Sequence, residues 1–147
     1  MTLKMTLDDQ LCFSIYSASH AIARMYRPLL DPMGLTYPQY LVLLALWERD
    51  GRRVRELGAD LLLDSNTLTP LLKRMQAADL VARTRNPEDE RSVLVSLTEK
   101  GHALRAQAED MAPCVAKAMG DDMEELAELR DRLHRLRARL DGADQPA

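Results

Sequence analysis

Two cysteines are the side chains of this 147-residue sequence best suited to redox chemistry. The thiolate is the reactive form of cysteine, whereas a free thiol with a pKa of about 8.5 is mostly protonated at neutral pH. Cys12 and Cys114 are too few for a disulfide scaffold, and in a reducing compartment a bridge between them would be transient. Redox sensing is therefore compatible with the sequence, although a lone helical cysteine is more often a small apolar core residue.

Patterns typical of enzymes and metal sites are absent from the sequence. It contains no CxxC pair and no phosphate-binding loop. His20, His102 and His134 are far apart in the sequence and are expected on the surface, and no two His or Cys residues have the spacing of metal ligands. We therefore expect no enzymatic activity, no cofactor and no metal.

The length of the chain fits one domain. No stretch approaches the roughly 20 apolar residues of a membrane span, and the first nine residues lack the basic and then apolar layout of a signal peptide. These features predict a cytoplasmic protein without membrane contact.

The charges are distributed unevenly. The net charge of −3 argues against a uniformly basic nucleic-acid binder. Residues 49–105, however, hold 11 Lys and Arg against 9 Asp and Glu, whereas residues 106–147 hold 6 against 10. The middle of the chain can therefore form a local DNA-binding face.

Two helices are expected before this middle segment. The first runs from about residue 7 to 30, with Thr6 and Asp9 in an arrangement like a capping box, and it ends before a proline and a glycine. The second begins after Thr36 and ends at Gly51. One face of it carries Leu41, Leu44 and Trp47, which is typical of a buried core helix.

A helix-turn-helix is predicted from residue 54 to 78. A short helix at 54–61 and a second at 65–78, capped by Asp64, are separated by about three residues, which is typical of this motif. The inward stripe of the second helix is Leu68, Leu71, Leu72 and Met75. Its other side carries the residues expected to read a major groove: Ser65, Asn66, Thr67, Thr69, Lys73 and Arg74. Taken alone, this stretch is also typical of a solvated amphipathic helix.

The segment after the helix-turn-helix favours the DNA-binding interpretation. Strands at 80–85 and 93–97, separated by the polar residues 86–92, predict a hairpin wing. Arg83, Arg85 and Arg91 suit contacts with phosphates, with the tip of the wing in a minor groove. Acidic residues near the tip would repel phosphate, and we expect Asp89 to pair with Arg91 and hold it in position.

The C-terminal third is expected to form two helices. Thr98 opens a helix to about residue 119 that is interrupted or bent at Pro113, and Asp121 caps the last helix. Alternating spacings of three and four predict a seam that packs against another helix, formed by Leu126, Leu129, Leu133, Leu136 and Leu140. The seam predicts a homodimer with both chain ends in the interface, although it can also pack within its own chain.

The predicted fold is mainly α with a small β-hairpin wing, a winged helix-turn-helix. We expect a single domain over residues 1–147. Within it, residues 7–30 and 98–140 are dimerisation helices, and residues 36–97 form the DNA-binding lobe.

The wing carries a motif found in a known family. Asp89, Glu90 and Arg91, followed after five residues by Leu97 and Thr98, resemble the DxR(x5)LT signature of the MarR family of winged helix-turn-helix repressors. The segment VRELGADLLLDSNTLTPLLKRM and the start of the second helix agree with it. Within the family, residues 10–18 and MYRPLLDPMGLTYPQYLVLLALWE are similar to the organic hydroperoxide resistance regulators, OhrR. The resemblance spans nearly the whole chain.

The resemblance implies a dimeric repressor of a thiol peroxidase gene that is released when an organic hydroperoxide oxidises the N-terminal cysteine. On this sequence it implies that Cys12 is the reactive thiolate and that Tyr26 and Tyr37 donate hydrogen bonds to it. Cys114 is a candidate resolving cysteine, with a small external thiol as the alternative. Tyr16 is either a further pocket residue or part of the core.

Helix geometry constrains this sensor. Cys12 and Tyr26 are 14 residues apart, so one continuous helix separates them by about 21 Å. The tyrosine must therefore come from the partner subunit. Oxidation would then shift the two recognition helices away from successive major grooves about 34 Å apart. We expect a pseudopalindromic, A/T-rich operator in double-stranded DNA, with Arg91 in the minor groove.

Two other functions fit parts of the sequence. One is a MarR-type repressor that is released by a small phenolic ligand and whose cysteines are inert. The other is a thiol peroxidase enzyme, which the missing catalytic patterns disfavour.

Overall fold

The computed structural model describes residues 4–143 and contains six α-helices and a three-stranded antiparallel sheet in that range. The helices are α1 (Leu11–Leu30), α2 (Tyr37–Glu48), α3 (Val54–Leu61), α4 (Ser65–Ala77), α5 (Glu99–Ala118) and α6 (Met123–Ala143). The strands are β1 (Arg52–Arg53), β2 (Val81–Asn86) and β3 (Asp89–Leu97). The fold is mainly helical with a hairpin wing, as predicted.

The chain divides into two compact units at residue 110. The first extends to Asp110 and contains α1 to β3 and the first half of α5; the second contains the rest of α5 and α6. None of the helices in the described range is both long enough and apolar enough to cross a membrane.

Helix α1 begins four residues later than predicted. The Thr6 hydroxyl donates a hydrogen bond to the Asp9 carboxylate, so the two side chains satisfy each other instead of capping backbone amides. Gln10 is the N-cap residue and makes no side-chain capping bond. The predicted end is correct, because a short 3₁₀ turn (Asp31–Met33) follows Leu30.

Helix α2 begins where predicted but buries a different face. Its capping box has the Gln39 amide donating to the Thr36 hydroxyl at 3.4 Å and the Thr36 amide donating to the Gln39 side chain at 3.0 Å. The helix lies in the core as predicted, with Val42 and Leu43 fully buried. The predicted face is not the most buried one, because Leu41 and Trp47 are half-buried and Leu44 is 40% exposed. Because this helix is apolar on every side, its periodicity does not identify the face that packs inward.

The helix-turn-helix forms as predicted, with α4 ending one residue early. Asp64 accepts a hydrogen bond from the Thr67 amide at 2.9 Å and caps α4. Leu62 adopts a left-handed φ of 57° between the helices. The turn is tight, since a Cβ atom on Gly58 would lie 2.9 Å from the Leu63 carbonyl oxygen. All four residues of the predicted inward stripe of α4 are buried.

The wing is longer and its turn shorter than predicted, because residues 89–92 belong to β3. At the turn, the buried Asn86 side chain accepts a hydrogen bond from the Glu88 amide at 3.0 Å and donates one to the Ser92 hydroxyl at 3.1 Å. The strand order is β1-β3-β2. Strand β1 was not predicted, because two residues are too few to show the alternation of apolar and polar side chains that is typical of a strand. Its Arg52 is buried and forms an ion pair with Asp60 of α3.

The start of α5 contacts α2 and the residues just before β2. The Trp47 indole donates to the Gly101 carbonyl at 3.0 Å, and the Thr98 hydroxyl donates to the Asp79 carbonyl at 2.5 Å. A Cβ atom on Gly101 would lie 2.3 Å from the Leu80 carbonyl oxygen, so only glycine fits. Pro113 lies inside α5, which is not interrupted there, contrary to that part of the prediction.

Helix α6 is capped by Asp122, which accepts from the Glu125 amide at 3.1 Å. Asp121, the predicted cap, is one residue too early and has a left-handed φ of 61°. Along the predicted seam, Leu126 and Leu136 are half-buried within this chain. The other three seam leucines, Leu129, Leu133 and Leu140, remain 52%, 38% and 61% exposed.

Candidate functional site

A groove lies between the helix-turn-helix and the wing. It encloses about 520 Å³ and is lined by four arginines and one acid: Arg53, Arg55, Arg83, Arg91 and Asp89. The side chains between these charges are small or apolar, among them Thr69 and Leu72 of α4. A concave surface of this charge matches a phosphate backbone.

The solvent-facing side of α4 carries the predicted recognition residues. Five of them are exposed: Ser65, Asn66, Thr67, Lys73 and Arg74. Thr69 is half-buried, because it lines the groove. The first residues of α4 thus present hydroxyl and amide groups, and its later turns present positive charge.

The wing arginines have different local partners. The Arg83 Nε donates to the side-chain oxygen of Gln76 at 2.7 Å, whereas Arg85 and Arg91 are exposed. Asp89 accepts from the backbone amide of Arg91 at 3.1 Å. Asp89 therefore holds the backbone of Arg91. In residues 4–143 no ion pair joins the two side chains, which differs from the pair that was expected, and the Arg91 guanidinium is not bound to Asp89.

Sequence reasoning missed Arg53 and Arg55. Arg53 ends β1 and is the N-cap residue of α3, and Arg55 lies in the first turn of α3, which was expected only to brace the recognition helix. Both nevertheless line the groove together with Arg83 and Arg91. Three arginines within four residues, from Arg52 to Arg55, were the available signal.

A cluster of tyrosines joins the end of α1 to the start of α2. The ring centroid of Tyr26 lies 4.8 Å from that of Tyr37 and 5.6 Å from that of Tyr40. The rings of Tyr40 and Trp47 are in an edge-to-face arrangement with centroids 6.4 Å apart. The structure therefore brings together both predicted sensor tyrosines and adds Tyr40, which follows Tyr37 by one helical turn.

All three phenols of the cluster resist ionisation. Burial, together with the nearby Tyr40 and Tyr37 phenols, raises the pKa of Tyr26 to about 12. Burial also raises the pKa of Tyr37 and, with the Tyr37 phenol, that of Tyr40. At neutral pH each hydroxyl is protonated and able to donate a hydrogen bond.

Cys12 is exposed in the first turn of α1, and Cys114 is exposed on α5. Because α1 is unbroken from Leu11 to Leu30, Cys12 lies about 21 Å along the helix axis from Tyr26 of the same chain. Tyr16 is 63% exposed and packs edge-on against His20 with centroids 4.5 Å apart. Among the residues described, no group of three or more His, Cys, Asp or Glu could hold a metal ion.

Comparison with known proteins identifies the family. Residues 24–107, the segment from the end of α1 through the wing into α5, match the family model of the transcriptional regulator SarA/Rot. The chain belongs to the MarR-like winged-helix transcriptional regulators. The resemblance seen in the sequence is thereby confirmed, and this DNA-binding regulator shares its fold with other MarR-type proteins.

Two relatives of the regulator cover most of its length. It is 48% identical over 125 residues to the organic hydroperoxide resistance transcriptional regulator of Bacillus subtilis, covering 83% of this chain and 85% of the relative. It is 47% identical over 149 residues to the regulator TtmR of Methylorubrum extorquens, covering 97% of this chain and 75% of the relative.

A solved structure resembles the regulator over nearly its full length. The reduced form of AbfR, a protein of Staphylococcus epidermidis, bound to DNA has a TM-score of 0.82 and 34% identity and covers 95% of both chains. In that structure, a reduced protein with a similar fold is bound to DNA.

Proposed function

We propose that this regulator is a homodimeric repressor that senses organic hydroperoxides through Cys12. In its reduced form it binds a pseudopalindromic operator and represses a gene for a peroxide-detoxifying thiol peroxidase. Oxidation of Cys12 releases the operator. The regulator works in the cytoplasm and needs no cofactor.

The observation that carries the sensor proposal is the position of the phenols. Tyr26 and Tyr37 are adjacent, half-buried and protonated, which suits them to donate hydrogen bonds to a thiolate. Cys12 of the same chain is too far along α1 to accept them. In a dimer, the exposed Cys12 of one subunit meets this cluster of the other, which ties the redox chemistry to the relative placement of the subunits.

The proposed chemistry begins with attack of the Cys12 thiolate on the peroxide O–O bond. The sulfur takes the terminal hydroxyl group and becomes a sulfenic acid, and the alkoxide takes a proton and leaves as an alcohol. The thiol of Cys114 from the partner, or a small external thiol, then condenses with the sulfenic acid to a disulfide and releases water. The exposed Phe13 and Ile15 beside Cys12 favour an alkyl hydroperoxide over hydrogen peroxide.

The groove and α4 support the DNA part of the proposal. With α4 in a major groove, Ser65, Thr67 and Thr69 lie near base edges and Lys73 and Arg74 near phosphates. Arg91, whose guanidinium is unengaged, enters the flanking minor groove. Arg53, Arg55, Arg83 and Arg85 contact the backbone between them.

The dimer is supported by apolar surface at both ends of the chain. In α1, Leu11 and Tyr16 are 59% and 63% exposed, and in α6 three seam leucines are exposed. Apolar side chains at helical spacing that find no cover within one chain are typical of a helical interface.

Replacement of Cys12 tests the function. A duplex selected from a random-sequence pool by the reduced protein serves as the operator. We expect wild type to release this duplex on treatment with cumene hydroperoxide, and Cys12→Ser to bind it equally well and to keep it. Cys114→Ser is the matched control and should still release the duplex if Cys12 alone senses. A Cys12→Ser protein that releases DNA normally would reject the sensor and favour release by another route.

A further inference from the structure

The hydrogen bond between Gln76 and Arg83 points to a positioning role for Gln76 in DNA binding. We infer that Gln76 orients the guanidinium of Arg83 toward a DNA phosphate and does not itself contact the bases. This inference rests on the proposed DNA-binding face and concerns a residue outside the recognition set.

Gln76 lies at the end of the polar side of α4. It follows Thr69 by seven residues and Lys73 by three, so the three share one side of the helix. Its side chain is exposed and lies beside the wing, where its oxygen accepts from the Arg83 Nε at 2.7 Å. A glutamine placed there could in principle reach a base edge, but its oxygen is already engaged.

Arg83 is half-buried on β2 and lines the groove with Arg53, Arg55 and Arg91. A guanidinium has five N–H donors, and the bond to Gln76 uses only the Nε donor. Within residues 4–143, no hydrogen bond or ion pair engages the terminal nitrogens of Arg83. The guanidinium is thus held through its Nε atom, and its remaining N–H donors are available to a phosphate.

The advantage of this contact is entropic. A free arginine side chain loses rotamer freedom when it binds, and ordering one such side chain lowers affinity by roughly two- to tenfold. Gln76 restricts Arg83 before DNA arrives. It also joins the recognition helix to the wing, so that the phosphate contact keeps a fixed distance from the bases that α4 reads.

Binding of the selected duplex at several salt concentrations tests the inference. Gln76→Ala should weaken binding by about two- to tenfold and leave the salt dependence unchanged, because no phosphate contact is lost. Arg83→Ala should lower the slope of log K against log salt by about one. In the Arg83→Ala background, Gln76→Ala should have no further effect. Arg85→Ala is the matched background, and in it the Gln76→Ala penalty should persist.

Two results would overturn the inference. One is an equal Gln76→Ala penalty with and without Arg83, since Gln76 would then act on DNA independently. The other is a Gln76→Ala protein whose affinity equals that of wild type. Both are distinct from failure of the proposed function, in which the wild-type protein selects no duplex at all. Because Gln76 is exposed, thermal unfolding of its variants should match wild type.

Discussion

The rings of Tyr26 and Tyr37 lie 4.8 Å apart, one near the end of α1 and the other at the first residue of α2. Gly34, with a left-handed φ of 68°, ends the short 3₁₀ turn between the helices, and the Thr36 capping box fixes the start of α2. The two phenols are therefore placed by local backbone geometry before any partner binds. The contribution of each phenol to the proposed sensor can therefore be tested by replacing one tyrosine at a time.

Removal of either phenol hydroxyl should slow the reaction of Cys12 with hydroperoxide. A hydrogen bond to a charged group is worth about 1.5–3 kcal/mol, so Tyr26→Phe and Tyr37→Phe should each slow the reaction by about tenfold or more. The rings and their packing are retained, so the unfolding temperature should change little. Stopped-flow measurement with cumene hydroperoxide gives the rate constants. Wild-type rates in both variants would contradict the proposed role of the phenols.

Stability should fall at alkaline pH because of the tyrosine cluster. Folding raises the pKa of Tyr26 from 10.0 to about 12. Below pH 10 the phenol is protonated in both states; between the two values the unfolded chain ionises and the folded chain does not, so the free energy of unfolding falls as pH rises. Denaturant unfolding at increasing pH measures this loss. In Tyr26→Phe the loss should be smaller, and an unchanged loss would contradict the assignment.

Gly101→Ala should destabilise the fold, because the added methyl group would meet the Leu80 carbonyl oxygen at 2.3 Å. The obstacle is a backbone atom, which can move only if α5 separates from the residue just before β2, and overpacking of this kind costs about 1–3 kcal/mol. Gly142→Ala is the matched control, since nothing lies within 4 Å of its added Cβ atom. It should be neutral or slightly stabilising in a helix. Equal unfolding free energies for the two variants would show that α5 does not pack as described.

A charge on the α6 seam should weaken the proposed dimer. Leu133→Glu places a carboxylate among the exposed leucines of α6, and burying an unpaired charge is strongly unfavourable. Sedimentation equilibrium should show a shift toward monomer. His134→Glu, one residue away, exposed and off the seam, should leave the mass unchanged. If both variants behave as wild type, the seam is not the interface.

The sequence predicted best those elements whose local signals agree. Helix α4 has a cap at Asp64 and a single apolar stripe, and both predict the observed helix. The inward face of α2 could not be predicted, because its residues are apolar on all sides and only tertiary packing selects Val42 and Leu43. The two-residue strand β1 exists only through its pairing with β3.

The same distinction applies to the candidate site. The family motif pointed to Cys12, Tyr26 and Tyr37, but Tyr40 carries no motif and joins the cluster only because it follows Tyr37 by one turn. The roles of Gln76 and Arg55 depend on the approach of the wing to α3 and α4, which is a contact between elements distant in sequence.

The most direct test of the sensor is to follow Cys12 oxidation and DNA release in the same samples. Reduced protein bound to its selected duplex is titrated with cumene hydroperoxide, and each sample is divided between peptide mass spectrometry and a gel-shift assay. We expect the fraction of DNA released to rise in step with the fraction of Cys12 oxidised. DNA that stays bound when Cys12 is fully oxidised, or that leaves while Cys12 is still reduced, would show that Cys12 is not the sensor.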